Sequence, residues 1–388
     1  REAIGAWAKD EDGNLLVDNR AALKCEIVCN NIYGVDIERG AIDIARLRFW
    51  LSIVVDEKTP QTLPNLDYKF MQGNSLITTF DGEYVNLDTK TQQHINVGKM
   101  NEEKKKLYNY KVQYYSATGD QKHKLAVQIK NSILTLISLQ LDFEYRSLVE
   151  KNAVQTTFLD EKTSFAEVKA QLSPEKQHIC DLGAALRRQL KDENKSLTER
   201  SQVDIRFFDW RMIFTEVFEG ENPGFDIVIG NPPYGVSIKG DYRETVVKAL
   251  KKVPDFEIYY FFFELAKKLV KADGLLSYIV PNTWLFNTFA KSYRLGILAD
   301  WRIEEILDCS KFKIFESATV MNTINLFRRN GIEGSLCGYR NTQKATDFLS
   351  LVSEDRMFLP MESLLQMNQN WALAFRLSPA IVGIVNKV

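Results

Sequence analysis

The residues best suited to chemistry lie in the run Phe225-Asp-Ile-Val-Ile-Gly-Asn-Pro-Pro-Tyr-Gly235. Phe225 to Gly230 reads as a short strand bounded by Gly224 and by Pro232 and Pro233. Two successive prolines fix φ and give up their N–H groups, so the chain there is stiff and offers carbonyl oxygens as acceptors. Asn231 before them adds a side-chain acceptor, and Tyr234 after them adds a ring face. A rigid acceptor pair beside an aromatic face suits a planar amine. In open α/β sheets ligands bind beyond the carboxyl ends of the strands, which is where this tetrad stands. No competing nucleophile system is visible. The histidines are His94, His123 and His178, all in or near a helix-rich interval and read as surface residues.

The elements that must hold the tetrad follow from hydrophobic periodicity. Asn31 to Ile37 reads as a short buried strand ending in the acidic Asp36, and Ile42, Ala45, Phe49 and Ile53 then recur at helical spacing. Asp36 has two readings: an acceptor for ribose hydroxyls at the end of a parallel strand, or a charge favouring the N-terminus of the helix that begins near Arg39. A second strand, Tyr68 to Met71, leads into the turn Gln72-Gly-Asn-Ser75. After the tetrad come a helix over Ile258–Lys271 and strands over Leu275–Val280, Glu304–Asp308 and Met321–Phe327. Six strands interleaved with helices predict an α/β fold with a doubly wound, mostly parallel sheet.

From Glu83 to Gln202 the sequence is charged, poor in Gly and Pro, and patterned for helix. A structureless loop of that length is improbable inside a compact domain, so a large helical insertion is expected. It is either a solvated decoration or a nucleic-acid-facing arm using Lys104, Lys105, Lys106 and Lys111. The expected organisation is residues 1–80 as the first part of the core, 81–205 as the insertion, 206–331 as the second part of the core, and 332–388 as a link toward a further domain. Past the tetrad, Lys239, Arg243, Lys248, Lys251 and Lys252 either contact phosphates or form an ordinary solvated face, diluted by Asp241, Glu244 and Asp255.

Composition sets the outer limits. At 388 residues with 45% hydrophobic and 26% charged side chains, the chain has the makeup of an ordinary globular protein with more than one structural unit. A formal charge of -1 excludes holding nucleic acid by bulk positive charge, so any polyanion site is local. Five Cys, none in a C-x-x-C pair, argue against both a disulfide framework and a zinc site, and a reducing cytoplasm fits best. The most apolar run, Ile258 to Leu265, is too short and too charged to span a bilayer, and no signal peptide is visible.

The tetrad resembles the catalytic motif of the N6-adenine DNA methyltransferases, enzymes that use S-adenosylmethionine. The resemblance implies a Rossmann-like methyltransferase core in which the Asn231 oxygen and the Pro232 carbonyl accept hydrogen bonds from the exocyclic amine of a flipped-out adenine. Pro233 stiffens that cradle and Tyr234 stacks on the base. Lys313-Ile-Phe-Glu-Ser-Ala-Thr-Val320 resembles the family's second aromatic segment, which makes Phe315 either the other wall of the base pocket or a plain core Phe. On the cofactor side the resemblance assigns Asp36 to ribose, Ile37 to the adenine face, Asn74 to the adenine amine and Phe262 to the adenine's other face. No metal is implied. The family's glycine-containing first strand-turn has no match before Asn31, and it is expected to lie upstream of Arg1.

The motif order is an acidic strand, a Gly-Asn turn, a long interval, Asn-Pro-Pro-Tyr and then Pro281-Asn-Thr-Trp284. This order resembles the gamma class. With Ala45-Arg-Leu-Arg-Phe-Trp-Leu51 and Phe208-Asp-Trp-Arg211, it resembles the methylase part of fused type IIG restriction-modification enzymes. That implies double-stranded DNA as partner, a C-terminal target-recognition domain and any nuclease domain outside this sequence. Two other readings stand: a protein glutamine or RNA guanine methyltransferase, which shares the tetrad but is smaller, and a catalytically silent DNA-binding or scaffold subunit.

Overall fold

The computed structural model describes residues 20–57, 63–80, 83–84, 97–156, 170, 172, 174–202, 207–254, 256–315, 320–330, 336–342, 345–353, 355–367 and 369–377. His94, Asp255, residues 316–319 of the Phe315 segment and residues 378–388 of the expected link lie outside them. The chain gathers into two compact units, residues 1–216 and 217–388. Among the described residues no helix is long and apolar enough to cross a membrane.

The first unit begins with α1 (Arg20–Asn31), β1 (Gly34–Asp36) and α2 (Arg39–Val54). The strand expected from Asn31 is confined to three residues because α1 runs as far as Asn31. Its far end is set by Asp36, whose Oδ1 accepts the Glu38 N–H at 2.8 Å and turns the chain toward α2. β2 (Phe70–Gln72) runs parallel to β1, with Asp36 opposite Gln72. Val28, Ile42, Leu66 and Phe70 form the core between these elements, and burying such side chains contributes roughly 1.5–3 kcal/mol each. A separate antiparallel sheet joins β3 (Thr79–Phe80) to β4 (Glu83–Tyr84) on one side and to β5 (Phe207–Phe208) on the other.

The expected insertion is helical: α3 (Val97–Ser116), α4 (Gly119–Thr156) and α5 (Pro174–Leu190). Leu107, Tyr114, Leu125, Ile129 and Leu136 form its core, and Leu134, Ile137, Leu141 and Leu186 form a second cluster. Lys111 is not available to a nucleic acid. It is buried, and its Nζ lies 3.1 Å from Glu216 Oε2. Lys69, also buried, lies 3.8 Å from Glu216 Oε1 and donates to the Tyr33 hydroxyl at 2.7 Å. Two ammonium groups therefore share one carboxylate. Of the other three lysines, Lys105 and Lys106 are exposed, Lys104 is half-buried, and Lys106 pairs with Glu103 at 3.2 Å.

The second unit is built on a six-stranded sheet of β6 (Phe225–Gly230), β7 (Val270–Pro281), β8 (Trp301–Asp308), β9 (Asn322–Arg329), β10 (Leu336–Arg340) and β11 (Met357–Pro360). Their order across the sheet is β11-β10-β8-β9-β7-β6. The sheet is mixed, where the sequence suggests a mostly parallel one. β6 pairs parallel with β7 and β8 with β10, but β9 runs antiparallel between β7 and β8, and β11 antiparallel to β10. The segment between β8 and β9 contains no helix among its described residues, so β9 returns beside β8 instead of crossing over to run parallel. β6 is an edge strand, with Ile227 60% and Ile229 77% exposed.

Helices α6 (Gly240–Ala249), α7 (Tyr259–Leu269) and α8 (Lys291–Asp300) complete the second unit, together with shorter helical turns. Phe263 of α7 meets Tyr278, Trp284 and Phe327 at ring-centre distances of 5.5, 6.0 and 5.9 Å. Arg294 of α8 is fully buried. Its guanidinium donates to the carbonyls of Trp284 and Asn287, each at 2.9 Å, and of Gln369 at 2.8 Å. It ties the turn after β7 to a segment 75 residues later.

Two stability measurements check these cores. Arg294→Met removes the donor from three backbone carbonyls, that of Trp284 buried, and is expected to lower the unfolding free energy by about 1–3 kcal/mol in urea titrations; a change under about 1 kcal/mol contradicts the clamp. In the first unit, burial lowers the Lys69 ammonium to about 8, with Glu216 partly offsetting. A lysine whose folded pKa is depressed binds fewer protons folded than unfolded above that value, so stability rises with pH from about 8 upward. Between pH 8 and 9.5, below the tyrosine range, the wild type is expected to gain stability more steeply than Lys69→Met. Equal slopes contradict the buried cluster.

Candidate active site

β6 stops where its backbone can no longer pair. Pro232 lacks an N–H, and the residue before a proline is pushed toward extended backbone, which carries Asn231 straight out of the strand. Pro232 is buried, Asn231 and Pro233 are exposed, and Tyr234 is half-buried. A Cβ at Gly230 would be a tight fit, 3.0 Å from the Tyr278 ring on the neighbouring strand, so a larger residue needs that ring to give way. The loop is then pinned from one side. Gly235 N–H donates to Glu257 Oε2 at 2.9 Å, Ile238 N–H to the Phe256 carbonyl at 3.0 Å, and Ile258 N–H to the Val236 carbonyl at 3.1 Å. The tetrad is a fixed feature with its amide in solvent.

β6 runs parallel to β7, and β9 lies antiparallel to both β7 and β8, so β8 shares their direction. The segments leaving β6, β7 and β8 therefore emerge at one edge of the sheet. They carry Asn231–Tyr234, the Asn282–Leu285 turn and the half-buried Phe315 respectively. The Asn282 turn is held by Asn282 N–H to the Met321 carbonyl at 2.8 Å and by the Trp284 indole to Thr323 at 3.3 Å. Buried Asn325 adds a bond from Nδ2 to the Tyr278 carbonyl at 3.1 Å. In α7, Phe261 and Phe263 are fully buried while Phe262 is half-buried, so Phe262 is the ring of this run that a ligand can reach.

In the first unit the parallel pairing brings Asp36 and the Gly73-Asn74 turn together, and Gly73 N–H donates to the Asp36 carbonyl at 2.9 Å. Asp36 and Ile37 are both exposed, Ile37 by 63%. Asn74 Oδ1 turns inward and accepts the N–H groups of Leu76 at 2.9 Å and Ile77 at 3.4 Å. Asp36 Oδ1 likewise serves the turn into α2 through the Glu38 N–H, the residue stays in solvent, and the helix start at Glu38 carries no side-chain cap bond.

Sequence reasoning singled out Phe208-Asp-Trp-Arg211 as a marker without a job, and here it braces the Gly73 turn. Phe208 covers Gly73 so closely that no Cβ fits. The Trp210 indole donates to the Ser75 carbonyl at 3.0 Å, and Thr78 donates to Asp209 Oδ2 at 2.7 Å. Asp209 Oδ1 accepts the N–H groups of Arg211 and Met212, each at 2.9 Å, capping the short helix that follows. Two motifs more than 130 residues apart in sequence thus form one local structure. Glu257 and Arg294 were missed altogether: a single carboxylate and a single arginine carry no pattern that marks them.

Among known proteins, the chain is 24% identical over 387 residues to the putative type II restriction enzyme and methyltransferase RM.MjaORFECS2P of Methanocaldococcus jannaschii, covering 94% of this chain and 31% of that protein. It therefore spans about a third of that relative's length. A 74-residue stretch is 32% identical to the type II methyltransferase M.TthHB8I of Thermus thermophilus, covering 16% of this chain and 17% of that one. Among solved structures, the type IIG restriction endonuclease BpuSI aligns over 38% of this chain and 20% of its own at 14% identity, with a TM-score of 0.31. The family model described as Eco57I restriction-modification methylase matches residues 30–315, from the end of α1 through the tetrad to Phe315. With well over half of its length inside that match, this chain belongs to the Eco57I restriction-modification methylase family.

Proposed function

We propose that the chain transfers a methyl group from S-adenosylmethionine to the N6 amine of an adenine flipped out of double-stranded DNA, as the methylase part of a restriction-modification system. The observation that carries this reading is the tetrad's placement. Asn231 stands in solvent at the carboxyl end of β6, its loop pinned by Glu257 and by residues 256–258, and it is not buried in packed core. An adenine amine is a poor nucleophile because its lone pair is delocalised into the ring. Asn231 Oδ1 and the Pro232 carbonyl each hold one amine proton, which draws the nitrogen toward tetrahedral geometry and frees its lone pair. The Tyr234 ring supports the plane of the extruded base and returns roughly 1–3 kcal/mol of the flipping cost. Phe315, leaving β8 at the same edge, is the second wall. Catalysis by these residues is positioning and electrostatics, with no dedicated base.

When bound, S-adenosylmethionine supplies the electrophilic methyl. The residues present fit it in part. In the first unit the exposed Asp36 carboxylate suits ribose hydroxyls and exposed Ile37 suits a flat purine; in the second unit the reachable Phe262 ring by itself suits a flat purine. Asn74 fits less well, because its oxygen already accepts two backbone N–H groups. The Methanocaldococcus jannaschii relative, of which this chain spans 31%, is described as both restriction enzyme and methyltransferase, which supports any DNA cleavage being carried by residues other than these.

Labelled methyl transfer to duplex DNA, RNA and a glutamine peptide, followed by nucleoside analysis, tests the reading. N6-methyladenine from duplex DNA is expected, falling about 10²–10³-fold in Asn231→Ala with the fold intact. Product on RNA or peptide alone, or transfer that survives Asn231→Ala, overturns it. Exposed Lys251 and Lys252 are assigned to phosphate contact. Arg243 is not, since its guanidinium lies over the Phe256 and Phe261 rings at 4.6 and 5.4 Å. Replacing both lysines with Gln is expected to reduce the slope of log K against log salt by about 2 for DNA binding, equally across sequences; an unchanged slope makes them a solvated face.

A further inference from the structure

The second unit also holds a cavity of about 300 Å³ that none of the residues Asn231–Tyr234 line. Asn282 and Phe286 come from the turn that leaves β7, Asp308 ends β8, and Asn370, Phe375 and Arg376 come from the segment after the Gln369 carbonyl. It therefore sits at the same sheet edge as the tetrad, over the neighbouring strands. Its two walls are held at a set spacing by Arg294, whose guanidinium bonds Trp284 and Asn287 in one wall and Gln369 beside the other.

The lining selects its ligand. Phe375 stacks on Tyr339 with ring centres 4.5 Å apart and planes 20° apart, which makes one flat, rigid aromatic wall. Asn370 Oδ1 caps the short helix through the Leu373 N–H at 2.9 Å, leaving its amino group as a donor, and Asn282 brings a second carboxamide with both donor and acceptor. Asp308 and Arg376 add one charge of each sign. An anion such as phosphate meets the Asp308 carboxylate, and an aliphatic ligand leaves the amino groups of the half-buried Asn282 and Asn370 unmatched. A flat, neutral molecule with donors and acceptors around its rim satisfies all of them. The volume lies at the small end of ligand pockets, room for one ring system and not for a peptide or a dinucleotide.

We propose that this cavity is a second nucleobase-binding site, which takes one neutral base while the Asn231 tetrad engages the reacting amine. The choice of a nucleobase over other planar amides rests on the DNA reading above; the presence of a site for such a ligand does not.

The test is titration of the chain with free adenosine, guanosine, cytidine and thymidine, with ribose and inorganic phosphate as controls, followed by NMR or calorimetry. At least one nucleoside is expected to bind saturably in the millimolar range or tighter. Asn282→Leu and, independently, the surface variant Arg376→Gln are each expected to weaken it at least tenfold. No saturable nucleoside binding, equal binding of ribose or phosphate, or indifference to both cavity variants each overturns the proposal. Nucleoside binding with these dependences in a protein that transfers no methyl group would keep the cavity site and remove the methylation reading, so the two failures are distinguishable.

Discussion

Two prolines in succession decide where β6 can end, and most of what the second unit does at its working edge follows from that. Without an N–H at Pro232 the ladder stops. Without freedom in φ the loop cannot fold back over the strand. Asn231 is left as the last residue of an extended backbone, with its amide in solvent and a buried proline anchored behind it. The neighbouring strand crowds the position before it, because the Tyr278 ring would stand 3.0 Å from a Cβ at position 230. A stiff element of this kind suits chemistry that consists of holding an amine in one orientation, since the positioning is done before the ligand arrives.

The first unit solves a similar problem by different means. Its two parallel strands are only three residues each, too short to position anything alone. The turn beyond β2 is instead fixed from a distant piece of sequence, with Phe208 covering Gly73, Trp210 bonding Ser75 and Asp209 bonding Thr78. The long helical insertion begins and ends around this brace. One of its lysines, Lys111, is spent on a buried ion pair with Glu216. Rotating any of these contacts shifts Asn74 and, through the Gly73 N–H, the Asp36 carbonyl.

Much of this was legible in the sequence, and what was not has physical reasons. The strand that ends at the tetrad, the acidic strand end and the Gly-Asn turn each carry a local signature of turn chemistry or periodicity; the helical pattern of the long interval is met by α3, α4 and α5, while Glu83–Tyr84 at its start is a strand. The mixed sheet was not legible, because a short apolar run does not encode whether it pairs parallel or antiparallel; that is fixed by the connection between β8 and β9. The burial of Lys111 and Arg294 was not legible either. Long charged side chains are read as surface by default, and only a partner far along the chain, Glu216 for one and the Gln369 carbonyl for the other, makes burial tolerable. Phe262 became readable only from the burial of Phe261 and Phe263 on either side.

The most direct measurement is a structure of the protein with a DNA duplex carrying its target adenine. The tetrad's geometry predicts the base extruded and lying against Tyr234, with its N6 about 3 Å from both Asn231 Oδ1 and the Pro232 carbonyl. An adenine that stays stacked in the duplex, or one extruded into a pocket away from Asn231, contradicts it.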